Sequence, residues 1–98
     1  MDEKTSLLID RTALLMADAV DGTYKTLKTI NDFESLSEDE IKNIIASDSA
    51  LWFEERFIYG KVRYICFELV NNKKYYSITE EGRILLNKVE EYRSNPQN

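Results

Sequence analysis

Ser49-Ala50-Leu51-Trp52-Phe53-Glu54-Glu55-Arg56-Phe57-Ile58-Tyr59-Gly60-Lys61-Val62-Arg63-Tyr64 mixes aromatic, charged and β-branched residues, and whether it forms a strand or a helix sets the architecture of the chain. A half-buried strand needs apolar and polar residues to alternate. With period two, Trp52, Glu54, Arg56 and Ile58 fall on one side and Phe53, Glu55, Phe57 and Tyr59 on the other, so neither side is apolar. With period 3.6, Leu51, Ile58, Val62 and Ile65 share a face, with Phe53, Phe57 and Tyr64 beside it, while Ser49, Trp52, Arg56, Tyr59 and Arg63 line up opposite. The spacing predicts one helix over residues 49–64, with Gly60 as its weak point.

Upstream, Ser37 followed three residues later by Glu40 is a capping box ahead of Ile41, Ile44 and Ile45, and predicts a short helix ending near Ser47. Asp48 and Ser49 can cap the next helix after a tight turn, which gives two helices in a helix-turn-helix. The acids Glu38-Asp39-Glu40 fan around the helix axis and favour its N-terminal dipole, rather than converging on a cation.

Downstream, residues 65–70 are a β-branched and aromatic run, Asn71-Asn72-Lys73-Lys74 reads as a turn, and residues 75–78 form a second such run. A two-stranded hairpin is expected. Thr79 then caps a last helix that opens with Glu80 and Glu81 and carries Ile84, Leu85 and Val89 as an apolar stripe, with Tyr92 at its end. Before all of this, residues 5–20 predict a helix with an unusually broad apolar face, and Tyr24, Leu27 and Ile30 predict a second. Residues 31–36 read as a loop.

At 98 residues with 43% hydrophobic residues, eleven aromatics, three glycines and one proline, the chain suits one domain of helices with a few strands. No apolar run approaches the roughly 18 residues of a membrane span, and Met1-Asp2-Glu3-Lys4 lacks a basic leader, so the expected location is cytoplasmic. The single Cys66, set among Tyr64, Ile65 and Phe67, is expected to pack as a small hydrophobe; it allows neither an internal disulfide nor a thiolate metal cluster. Histidine is absent, so the commonest general base and metal ligand is missing; no Gly-rich phosphate loop occurs either. No enzyme, metal or cofactor is expected.

The net charge of −5 weighs against nucleic acid, but its distribution does not. Residues 49–77 hold five basic side chains (Arg56, Lys61, Arg63, Lys73, Lys74) against three acidic ones, a balance of +2, whereas the remainder carries eight basic and fifteen acidic residues. An acidic body with one mildly basic segment suits an oriented nucleic-acid binder, and a protein binder as well.

The segment Tyr75-Tyr76-Ser77-Ile78-Thr79-Glu80-Glu81-Gly82-Arg83 resembles the wing-to-last-helix junction of winged-helix regulators of the MarR and PadR kind, in which a tyrosine-rich strand runs into a Thr-Glu-Glu-Gly helix start. The similarity extends over roughly residues 37–92. It implies an α+β, mainly helical fold: a winged helix-turn-helix with a two-stranded β-hairpin wing, flanked by N- and C-terminal helices. The corresponding division of one domain over residues 1–98 is an N-terminal helical extension (5–35), the helix-turn-helix (37–64), the wing (65–79), the last helix (80–93) and a tail (94–98).

The resemblance further implies a transcriptional regulator that binds double-stranded DNA. The helix from Ser49 would lie in the major groove, and Asn71, Asn72, Lys73 and Lys74 would form a wing tip on the backbone or minor groove. On that helix Arg56 and Arg63 would meet guanine edges or phosphates beside Trp52 and Tyr59, with Ser49 at the phosphate-binding helix start. Plainer readings stand beside these. The arginines pair with Glu55 or Glu68, Trp52 covers the core edge or a dimer contact, and the lysines solubilise a turn. The broad apolar face of the first helix, with Leu7, Leu8, Leu14, Leu15 and Met16, predicts a homodimer interface. The alternative function is a winged-helix module that binds another protein through Trp52, Tyr59 and the neighbouring acids.

Overall fold

A computed structural model of the protein describes residues 2–18, 23–44 and 57–94. It contains helix α1 (Glu3–Asp18), helix α2 (Thr23–Phe33), strand β1 (Leu36–Ser37), helix α3 (Glu38–Ile44), strands β2 (Ile65–Val70) and β3 (Lys73–Ile78), and helix α4 (Glu80–Ser94). The fold is α+β and mostly helical. None of the described helices is long and apolar enough to cross a membrane.

The sheet has three antiparallel strands in the order β1-β3-β2, one more than the expected hairpin. Leu36 and Ser37 pair with Tyr76 and Tyr75, so the predicted loop over residues 31–36 gives way to an extra helical turn of α2, through Phe33, and then to an edge strand. Glu34, with φ 64°, makes the reversal between them. The register Ile65↔Ile78, Phe67↔Tyr76 and Leu69↔Lys74 puts alternate residues on one face, and Leu36, Ile65, Tyr76 and Ile78 bury theirs in the core. The opposite face carries Cys66 and Ser77, whose Sγ and Oγ lie 3.2 Å apart. Cys66 is half-buried on this outer face, not enclosed among the aromatics.

Residues 45–56 lie outside the described residues, and with them Ser47, Asp48, the start of the predicted long helix and its side chains Ser49, Trp52 and Arg56. The expected helix end at residue 64 is corrected. Phe57 and Ile58 form a wide helical turn, residues 59–62 bend, and Arg63 and Tyr64 run extended into β2. Tyr64 N–H donates to the Phe57 carbonyl at 2.9 Å, closing the bend. Gly60, about 1 kcal/mol worse than Ala in a helix, sits in that bend, and the chain must turn there to enter β2 beside β3. The sidedness read from the sequence nevertheless holds: Phe57, Ile58, Val62, Tyr64 and Ile65 are buried, whereas Tyr59 and Arg63 are exposed.

The core draws Ile9, Ala13 and Met16 from α1, Leu27 and Ile30 from α2, and Leu85, Leu86 and Val89 from α4, against the inner face of the sheet. Each fully buried aliphatic side chain contributes roughly 1.5–3 kcal/mol by leaving water. Polar contacts fix how α4 lies on its neighbours. Asp10 of α1 accepts the Tyr92 hydroxyl and pairs with Lys88 at 3.6 Å. Tyr24 of α2 donates to Glu90 at 3.3 Å, and the Arg93 guanidinium lies 4.1 Å from the centre of the Tyr24 ring.

The two helices that follow a strand are capped as their residue types suggest. Ser37 Oγ accepts the Glu40 N–H at 3.3 Å at the start of α3. At α4, Thr79 Oγ1 accepts the Gly82 N–H at 3.0 Å and donates to the Arg63 carbonyl at 2.7 Å. Gly82 is required there: a Cβ would collide with the Tyr64 carbonyl oxygen and stand 2.6 Å from Ile78 Cγ1.

Candidate nucleic-acid interface

The hairpin presents its turn to solvent. Asn71 and Asn72 are the two turn residues, with φ 51° and 64°, the positive values a tight two-residue hairpin turn demands and asparagine tolerates better than most. Lys73 and Lys74 are not part of the turn, as the sequence suggested, but the first residues of β3, paired with Val70 and Leu69. The two lysines therefore point to opposite faces of the sheet.

Each lysine is engaged within the chain. Lys73 Nζ lies 3.4 Å from Asp39 Oδ2 on α3, with both side chains well exposed. Lys74 Nζ stands 5.1 Å from the centre of the Phe67 ring, over the inner face of the sheet. Beside them Leu69 and Val70 are exposed, an apolar pair at the tip that the sequence reading placed inside an ordinary strand.

A second cluster lies at the other end of β2. Tyr59 and Lys61 are exposed in the bend, and Arg63 is exposed where the chain enters the strand. Arg83 is exposed in the first turn of α4, the helix whose cap, Thr79, donates its hydroxyl to the Arg63 carbonyl at 2.7 Å. The sequence reading missed Lys61 and Arg83 as candidates. Arg83, four residues after the cap Thr79, was the recoverable one, because that spacing returns a helical side chain to the face of its cap. At about 3.3 Å per residue, the seven steps from Arg63 to Val70, the partner of Lys73, place the two clusters roughly 23 Å apart.

Beneath the second cluster, the Tyr64 ring meets Phe57 edge-on at 5.7 Å and its hydroxyl donates to Thr12 of α1 at 3.4 Å. Burial pushes the Tyr64 phenol above its usual value, and the Thr12 hydrogen bond partly offsets the shift. The exposed basic groups thus stand on a packed floor.

The predicted dimer face divides. Leu7, Leu14 and Leu15 are exposed, but Leu8 packs against the core and Met16, only 4% exposed, belongs to it. Met16 and Leu8 are removed from that face because they serve the chain's own core. In comparison with known proteins, the chain matches no family model, no curated protein and no solved structure.

Proposed function

We propose that the chain is a winged-helix DNA-binding protein that acts in transcriptional control. The observation that carries this reading is the spacing of basic side chains along one hairpin: exposed Lys73 and half-buried Lys74 on opposite faces at its tip, and the exposed Lys61 and Arg63 about 23 Å away at its root. Half a turn of duplex is about 17 Å, the step from a major groove to the adjacent minor groove. A protein element at the root and a hairpin tip can thus meet neighbouring grooves together. The strand β1, which joins the start of α3 to the hairpin, supports the same reading by holding α3 and the wing as one unit.

The test is fluorescence anisotropy of mixed-sequence duplexes across a salt series. Binding with a steep negative log–log salt slope is expected, with Arg63→Ala and Lys74→Ala each reducing that slope by about one. Absence of binding to any duplex at low salt would replace the reading with a protein-interaction module. One observation favours that second function: Leu69 and Val70 stand exposed at the hairpin tip, where a DNA wing has no need of them.

A further inference from the structure

The junction between α2 and β1 holds a backbone shape that its residues do not favour. Ser35 N–H donates to the Phe33 carbonyl at 2.6 Å across Glu34, whose φ is 64°, so the chain reverses in a three-residue γ-turn of the rare, strained, positive-φ form. Glycine adopts such a turn freely, whereas the Cβ of a glutamate crowds its own backbone there. No side chain of the turn offsets the strain. Phe33, Glu34 and Ser35 are all exposed, and the Glu34 carboxylate makes neither an ion pair nor a hydrogen bond among the described residues. The strain is imposed from both ends, because Ile30 before the turn and Leu36 after it are both fixed in the core.

The second of these anchors is slight. Strand β1 is two residues long and meets β3 only through Leu36↔Tyr76 and Ser37↔Tyr75. Helix α3 follows it without a break, adds Ile41 to the core and reaches the hairpin tip through the exposed Asp39–Lys73 pair. A strained connection to a lightly held element favours local opening of that element while the rest of the fold stays closed. When β1 lifts from β3, Glu34 is free to return to negative φ, and α3 carries Asp39 away from Lys73.

We infer that Glu34 is a spring-loaded hinge: β1 and α3 open from the hairpin as one unit, relief of the γ-turn favours the opening, and the opening releases Lys73 at the tip from Asp39. Closed, the unit screens one positive charge of the tip; open, it offers that charge to an anionic partner. The hinge does not rest on DNA binding, and its test uses no DNA.

Native-state hydrogen exchange of the full chain reads the opening. Val70 and Lys73 are the hydrogen-bonded pair that closes the two-residue turn, so the amides of Lys73 and Tyr75 face β2 and that of Tyr76 faces β1. Tyr76, Leu36 and Ile41 should exchange together, faster than Val89 in α4 and with little dependence on low urea. Glu34→Gly should slow Tyr76 by about three- to tenfold, and Val89 by the same factor, because local opening already relieves all of the strain. Lys73→Ala should speed Tyr76 by up to about fivefold. Tyr76 keeping pace with Val89 in the wild type at every urea concentration overturns the inference, as does an Ile41 amide that stays closed while Leu36 opens. A Glu34→Gly variant that slows Val89 but not Tyr76, or neither, removes Glu34 as the hinge, and a Tyr76 rate unchanged in Lys73→Ala removes the coupling to the tip.

Discussion

Lys73 and Asp39 join the tip of the hairpin to the first turn of α3, their charged groups 3.4 Å apart across the surface. An exposed pair of this kind contributes little stability, about 0–1 kcal/mol, and so acts mainly on the charge that the tip offers to a partner. We expect Asp39→Asn to leave the unfolding midpoint nearly unchanged while tightening duplex binding a few-fold at low salt. Lys73→Ala should loosen that binding and flatten its salt slope by about one. Equal affinity in both variants would remove the hairpin tip from the interface.

Gly82→Ala should be severe for a small change. The added methyl collides with the Tyr64 carbonyl, a backbone atom held by the Thr79 N–H at 3.0 Å, so relief requires α4 to shift from the sheet. Overpacking of this kind costs about 1–3 kcal/mol. In a domain of this size that lowers the thermal midpoint by about 5–20 °C, readable by circular dichroism.

At the hairpin turn, Asn72→Gly should stabilise by a few tenths of a kcal/mol to about 1 kcal/mol, because the backbone already has φ 64° there and glycine adopts it without a Cβ penalty. Asn72→Val should cost about 1–2 kcal/mol. Urea unfolding distinguishes the two, and an equal response would mean that the turn relaxes to another geometry.

The contact between Tyr92 and Asp10 gives stability an alkaline limit. The hydrogen bond to the Asp10 carboxylate, more than burial, holds the Tyr92 phenol above its usual value of 10.0. A group whose pKa is raised by folding adds stability below its unfolded pKa and loses it as pH rises through the folded one. Urea midpoints followed upward from pH 9 should therefore fall more steeply in the wild type than in Tyr92→Phe. Asp2 has the opposite sign: it accepts the Thr5 N–H at 2.7 Å at the start of α1, which depresses its carboxyl below 3.8. Its contribution is complete above that value and is lost in acid.

Thr79, the two asparagines and the Ser37 cap were legible in the sequence because each meets a local backbone demand that its residue type advertises. Ile58 and Val62 also declared their inward side. What the sequence concealed was set by partners distant in the chain. Leu36 and Ser37 are too few to show an alternating pattern, and they become a strand only because Tyr76 and Tyr75 offer a free edge. Helical periodicity through residue 64 failed for a similar reason: the need to enter the sheet at Ile65 overrides the local preference, and Gly60 lets it do so. Met16 read as a surface residue for want of knowing where α4 would lie. The candidate interface was half legible, since its residue types were visible while the engagement of Lys73 by Asp39 was not.

Helix α1 packs chiefly against α4, so the two ends of the chain complete each other's core. During synthesis the first helix emerges long before its cover. At about 5–20 residues per second, Ile9, Ala13 and Met16 wait several seconds for Leu85, Leu86 and Val89 to be made. Through that interval the nascent chain displays an amphipathic helix with neither side buried, a surface suited to capture by chaperones or by another nascent copy. Closing so long a loop also costs more chain entropy than forming the hairpin or joining neighbouring helices, so the contact that unites the two ends is the one the rest of the fold helps least to form.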